Sequence, residues 1–167
     1  IGCKIYDLKN HEGIVSFTRK DERLPLNLSP LWMLHGMYIP IGTELNRYML
    51  TIDHLQTCDY EITANGRALG TWSSSSLAAG VNIASATPDP WMPGGPWDAQ
   101  AHIVKILTDM RDEIVFARQG MDQTLSSHPR IDSLGTEADA IEKSIVNLQR
   151  NTARPIPIKF IVSPKTK

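Results

Sequence analysis

Cysteine is nearly absent from this chain. Its two cysteines, Cys3 and Cys58, allow one disulfide at most. The other reading leaves both free and buried, because a thiol packs like a small hydrophobe. No Cys-x-x-C pair and no Cys/His spacing of the zinc type occurs, so a structural zinc site is not expected. Charge of one sign is missing too. Lys and Arg number 17 against 18 Asp and Glu, a net charge of −1. Such a balance carries no electrostatic footprint for nucleic acid or an anionic membrane. No apolar run is long enough to cross a bilayer, so no membrane span is expected. The chain opens on Ile1 rather than methionine and shows no signal peptide, which is expected of a fragment, a mature form or a processed subunit. No internal repeat is present, and the only low-complexity run is Ser73-Ser74-Ser75-Ser76.

What is there is ordinary apolar content in 167 residues, enough for one domain or two small ones sharing a core. Near the N-terminus Ile14, Ser16 and Thr18 fall on one face of an extended segment, and Val15 and Phe17 on the other. His11-Glu12-Gly13 reads as a turn before it. From Arg19 to Pro40 the prolines 25, 30 and 40 predict a surface loop. That loop carries Leu24, Leu26, Leu28, Leu31, Trp32, Met33 and Leu34, so it needs cover. Tyr60, Ile62 and Ala64 alternate before Asn65-Gly66, with Leu69 and Thr71 after it. This is a hairpin signal, because both central positions of a type I′ turn need positive φ.

After Trp72 the serine run and Leu77-Ala78-Ala79-Gly80 predict one or two helical turns, capped by serine and closed by glycine. A short strand, 81–84, follows. Pro88 to Pro96 is a proline- and glycine-rich loop holding Trp91 and leading to Trp97. A long helix over 97–119 is predicted by Ala99, Ile103, Ile106, Met110, Ile114 and Ala117, with Gly120 as its C-cap. Loop is expected up to Gly135. A second helix over 136–149 follows from Ala138, Ile141, Ile145 and Leu148, with Thr136 placed to cap it. Pro155 and Pro157 end helical order, and Ile158, Phe160 and Val162 alternate as a closing strand. The expected fold is α+β: a small antiparallel sheet, two long C-terminal helices and a closing strand. Residues 1–84 form its β-rich part and 85–167 its helical part, together one compact unit.

Few residues suggest chemistry. A nucleophilic serine needs an adjacent base and oxyanion donors. Ser73–Ser76 lie in no G-x-S-x-G block, so helix capping is the favoured role. Asp53 and His54 are neighbours, which strand alternation turns to opposite faces. Asp98 and His102 share a helical face four residues apart, but two groups with no third ligand do not make a metal site. No catalytic residue, metal ligand or cofactor is assigned. Trp32, Tyr38, Trp72, Trp91 and Trp97 offer rings that stack on sugars or pack a core. Trp72, Trp91 and Trp97 are the candidate ligand-binding residues.

Several segments together resemble the region downstream of the catalytic core in SGNH (GDSL-type) ester hydrolases. Asp21-Glu22-Arg23-Leu24-Pro25-Leu26 is similar to that family's "DEALPLP" run, and Leu50-Thr51-Ile52 with Leu55 to its "LxVxxL" strand. Tyr60 to Arg67 resembles its "YxLxxDGxxxG" hairpin, and Leu77 to Ala84 its "LAAGVNLA". Pro93-Gly94-Gly95-Pro96-Trp97-Asp98 and the helix after it also fit, so the likeness runs from Arg19 to Arg118. It implies hydrolysis of an acyl or acetyl ester by a Ser-His-Asp mechanism without metal. The catalytic blocks of that family are expected upstream of Ile1, since no position here matches them. The chain is then the C-terminal accessory part of such a hydrolase. It would pack on a catalytic domain or another protein chain, in a secreted or periplasmic setting. The alternatives are a non-catalytic module that binds a glycan or a protein, and a processed subunit of a two-chain hydrolase.

Overall fold

The computed structural model describes residues 2–26, 44, 46–88 and 94–165. The elements are β1 (Cys3–His11), β2 (Ile14–Asp21), β3 (Met49–Leu50), β4 (Asp59–Ala64), β5 (Arg67–Ser73), α1 (Ser74–Ala79), β6 (Val81–Asn82), α2 (Asp98–Thr124), α3 (Ile131–Thr152) and β7 (Ile158–Pro164). The fold is α+β. Its main sheet is five-stranded and antiparallel, in the order β1-β2-β7-β4-β5, and β3 and β6 form a two-stranded pair. By its contacts the chain divides into two units. Ile1–Ala101 with Pro155–Lys167 make the first, and His102–Arg154 the second. The closing strand therefore belongs with the sheet and sits at its centre, between β2 and β4.

The main sheet buries one face. Val15 and Phe17 of β2, Tyr60, Ile62 and Ala64 of β4, and Ile158, Phe160 and Val162 of β7 are buried at alternate positions. Period-two alternation sends successive side chains to opposite faces, so these residues share one side. Phe17 stacks on its cross-strand partner Phe160 at 5.2 Å between ring centroids. Leu69 of β5 together with Leu50, Leu77, Ile83 and Trp97 completes the core.

The Asn65-Gly66 hairpin forms where expected, with φ of 49° and 80°. Asn65 also pins the turn to β7. Its N–H donates to the Lys159 carbonyl at 2.8 Å, and its side-chain carbonyl accepts the Lys159 N–H at 2.9 Å. Glu12-Gly13 is a second turn with positive φ, 52° and 81°, joining β1 to β2. The serine reading holds as well. Ser73 Oγ accepts the Ser76 N–H at 3.1 Å, and the Gly80 N–H closes the helix on the Ser76 and Leu77 carbonyls.

The helix ends differ from expectation. α2 runs through Gly120 to Thr124, so Gly120 is not its cap. α3 starts at Ile131, and the stretch expected as loop up to Gly135 is partly helical. Thr136 lies inside that helix and donates its hydroxyl to the Asp132 carbonyl at 2.9 Å, so it caps nothing. Gly135 has a contact role instead. A Cβ there would meet the Arg118 guanidinium carbon at 3.0 Å, and Arg118 Nη1 donates to the Gly135 carbonyl at 2.7 Å. Within the second unit, Leu107, Ala138 and Ile145 are the buried apolar residues among those described. Arg111 with Glu142, Arg118 with Asp139, and Gln149 with Thr108 tie the two helices together.

Candidate functional site

A groove of about 790 Å³ opens where α1 meets the loop before β4 and the end of β7. Its polar lining includes His54, Thr57, Asp59, Ser74, Ser75 and Lys165, with the exposed thiol of Cys58 beside them. Backbone bonds hold these three segments together. The Ser74 N–H donates to the Cys58 carbonyl at 3.0 Å, and the Lys165 N–H to the Asp59 carbonyl at 2.8 Å. His54 lies in a bend with φ of 61°, not in a strand. The expected alternation of Asp53 and His54 across two faces therefore does not apply.

The groove brings serines and a histidine to one surface, but the Ser73 and Ser75 hydroxyls are engaged with each other. Ser73 Oγ caps α1 and lies 2.9 Å from both the Ser75 and Ser76 hydroxyls. Among the described residues no hydrogen bond joins one of these serines to a histidine. Without that contact a serine hydroxyl stays a weak nucleophile. Cys3 and Cys58 are both free thiols. No group of three His, Cys, Asp or Glu side chains among the described residues is placed to hold a metal. No described helix is long and apolar enough to cross a membrane.

The tryptophans go to different places. Trp97 is only 1% exposed. Its ring lies 4.7 Å from that of Tyr48 and 6.4 Å from that of Phe160, so it is a core side chain. Trp72 is half-buried against the core, and its ring lies over Gly70, where a Cβ would come within 2.8 Å of it. Trp91, Trp32 and Tyr38 fall outside the described residues, as does most of the Leu24–Leu34 stretch. Of that stretch Leu24 packs on the core, while Leu26 is exposed.

Around Trp97 the structure assembles a polar cluster that sequence reasoning missed. Arg19 and Asp21 are each 5% exposed. Arg19 Nε and Nη2 both donate to the Asp21 carboxylate, at 2.7–3.1 Å, and Nη1 donates to the Met49 carbonyl at 2.9 Å. The guanidinium also lies 5.3 Å from the Trp97 ring centroid and 5.9 Å from that of Tyr48. Pairing and ring contact offset the large cost of taking both charges out of water. The signal was the inward row Val15, Phe17, Arg19, Asp21, which carries the period of two past its apolar members. Burial pushes the Tyr48 phenol above its ordinary range and Asp21 adds to this, while Arg19 and Arg23 oppose it. Its hydroxyl donates to the Arg23 carbonyl at 3.0 Å.

The residues just before α2 are equally fixed. A Cβ on Gly95 would fall 2.2 Å from the Ala84 carbonyl oxygen, so only glycine fits that approach. Arg67 donates to the Gly94 and Gly95 carbonyls. The buried Asp98 carboxylate accepts the Gly95 N–H at 2.7 Å. Burial raises the Asp98 pKa, and its bonds to Gly95, Gly94 and Ser85 and the nearby Arg67 charge only partly offset that. Asp98 is thus held by its own loop, while His102 is exposed.

No family model matches this chain, and neither does any curated protein. A solved structure described as a gut microbial diltiazem-metabolizing enzyme does. It superposes with a TM-score of 0.75 at 18% sequence identity. The match covers 98% of this chain but only 46% of that protein, so the chain spans less than half of its neighbour's length. At this identity the likeness shows a shared fold.

Proposed function

We propose that this chain is the accessory part of an SGNH-like serine ester hydrolase. It packs on a catalytic domain that supplies the Ser-His-Asp machinery, in a secreted or periplasmic setting. The observation that supports an accessory part is the fold match, in which nearly the whole chain corresponds to under half of a longer protein whose description is enzymatic; the SGNH-like assignment rests on the sequence resemblance alone. The local features behind the family resemblance are consistent with this role, because they serve the scaffold. The Asn65-Gly66 hairpin, the Ser73-capped α1 and the Gly95 approach to Ala84 all shape backbone. Unpartnered apolar side chains add support. Ile5 and Leu8 on β1 and Ile103, Met110, Ile141 and Leu148 on the long helices remain 47–66% exposed, surface suited to a neighbouring domain.

The glycan-binding alternative draws no support from Trp97, whose ring is enclosed in the core and has no face free for a sugar. In the accessory reading the isolated chain does not turn over short acyl nitrophenyl esters. The test is a hydrolysis assay on this chain beside its Ser73→Ala, Ser74→Ala and Ser75→Ala variants. Turnover that one of these substitutions abolishes, with the fold intact by circular dichroism, would overturn the accessory role.

A further inference from the structure

We draw no further inference here: the strongest candidate, the apolar stripe formed by Ile103, Ile106 and Met110 with Ile141 and Leu148 on the long helical pair, is left exposed and nothing in the structure shows what covers it.

Discussion

The two units are stabilised by different means. In the first, the inward face of the main sheet and the elements laid over it share one apolar cluster, in which Ile62, Leu77, Ile83, Phe160 and Val162 are fully enclosed. In the second, residues 102–154 of the two long helices bury only Leu107, Ala138 and Ile145 among their described apolar side chains. Polar contacts join the helices there, and most of them are exposed. Fully burying one large apolar side chain contributes roughly 1.5–3 kcal/mol, whereas an exposed ion pair contributes about 0–1 kcal/mol. Helices owe most of their stability in proteins to a packed apolar face. The sheet unit is therefore the stable part of the molecule. The helical pair is the part that opens first, or that gains most from a neighbour.

Paired core truncations put the largest expected effect on this contrast. Phe160→Ala removes a ring that is fully buried and stacked on Phe17, and should cost about 3–5 kcal/mol. Ile145→Ala on α3 should fall at the low end for aliphatic truncation, about 2 kcal/mol, because Leu107 and Ala138 are the other buried apolar side chains described in its unit. Urea denaturation followed by circular dichroism measures both. Equal costs would mean that the helical pair has a core as consequential as that of the sheet.

Next in size is the hairpin that anchors β4 to β7. Gly66 has φ of 80° and nothing within 4 Å of where its Cβ would stand, so space is not its constraint. Conformation is. Gly66→Val should cost on the order of 1–3 kcal/mol through backbone strain alone. An unchanged melting temperature would show that the turn relaxes into another type without disturbing the Asn65–Lys159 bonds.

These sites also mark what was legible in the sequence. Asn65-Gly66, the Ser73 cap and Gly80 are local devices, and each acts where its residues stand. The apolar stripes of α2 and α3 disclosed two helices but not their ends. Gly120 was expected to stop α2, yet an interior glycine costs only about 1 kcal/mol relative to alanine, which a long helix tolerates. Gly135 was expected to end a loop, but its reason for being glycine is the guanidinium of Arg118, a contact 17 residues away in sequence. β1 was faint because nearly every residue along it is exposed, so no apolar alternation marks it. The Arg19–Asp21 pair was unreadable as a buried pair until Met49, Tyr48 and Trp97 were placed around it. Neither serine–histidine pairing nor tryptophan exposure follows from residue type, since both depend on long-range contacts.

A smaller and pH-dependent effect is expected at Asp98, where the first unit leads into α2. Burial raises its folded-state pKa above the unfolded value, so the folded state holds its proton more tightly. Its contribution is therefore fully present below the unfolded pKa and is lost as pH rises through the raised folded pKa. Once the carboxylate ionises, the cost of burying its charge is only partly offset by the Gly95 N–H and Arg67. Asp98→Asn keeps an acceptor for Gly95 without the charge. It should gain stability relative to the parent as pH rises from about 4 toward 7. Thermal melts of both proteins across that range test the sign. A variant that instead loses stability relative to the parent as pH rises would mean that the Gly95 and Arg67 contacts outweigh desolvation.

The smallest expected effect probes the helical pair directly. Arg111 Nε donates to Glu142 at 2.9 Å, with the two side chains 47% and 31% exposed. Solvent screens such a pair, and holding two long side chains in one geometry has an entropic cost. A double-mutant cycle over Arg111→Ala and Glu142→Ala should give a coupling of about 0.2–1 kcal/mol, falling as salt is added. If the cycle instead returns several kcal/mol and ignores salt, the interaction is effectively desolvated. The second unit would then be held by its polar seam as firmly as the first is held by Phe17 and Phe160. In that case its exposed isoleucines would no longer imply that it needs a partner to stay folded.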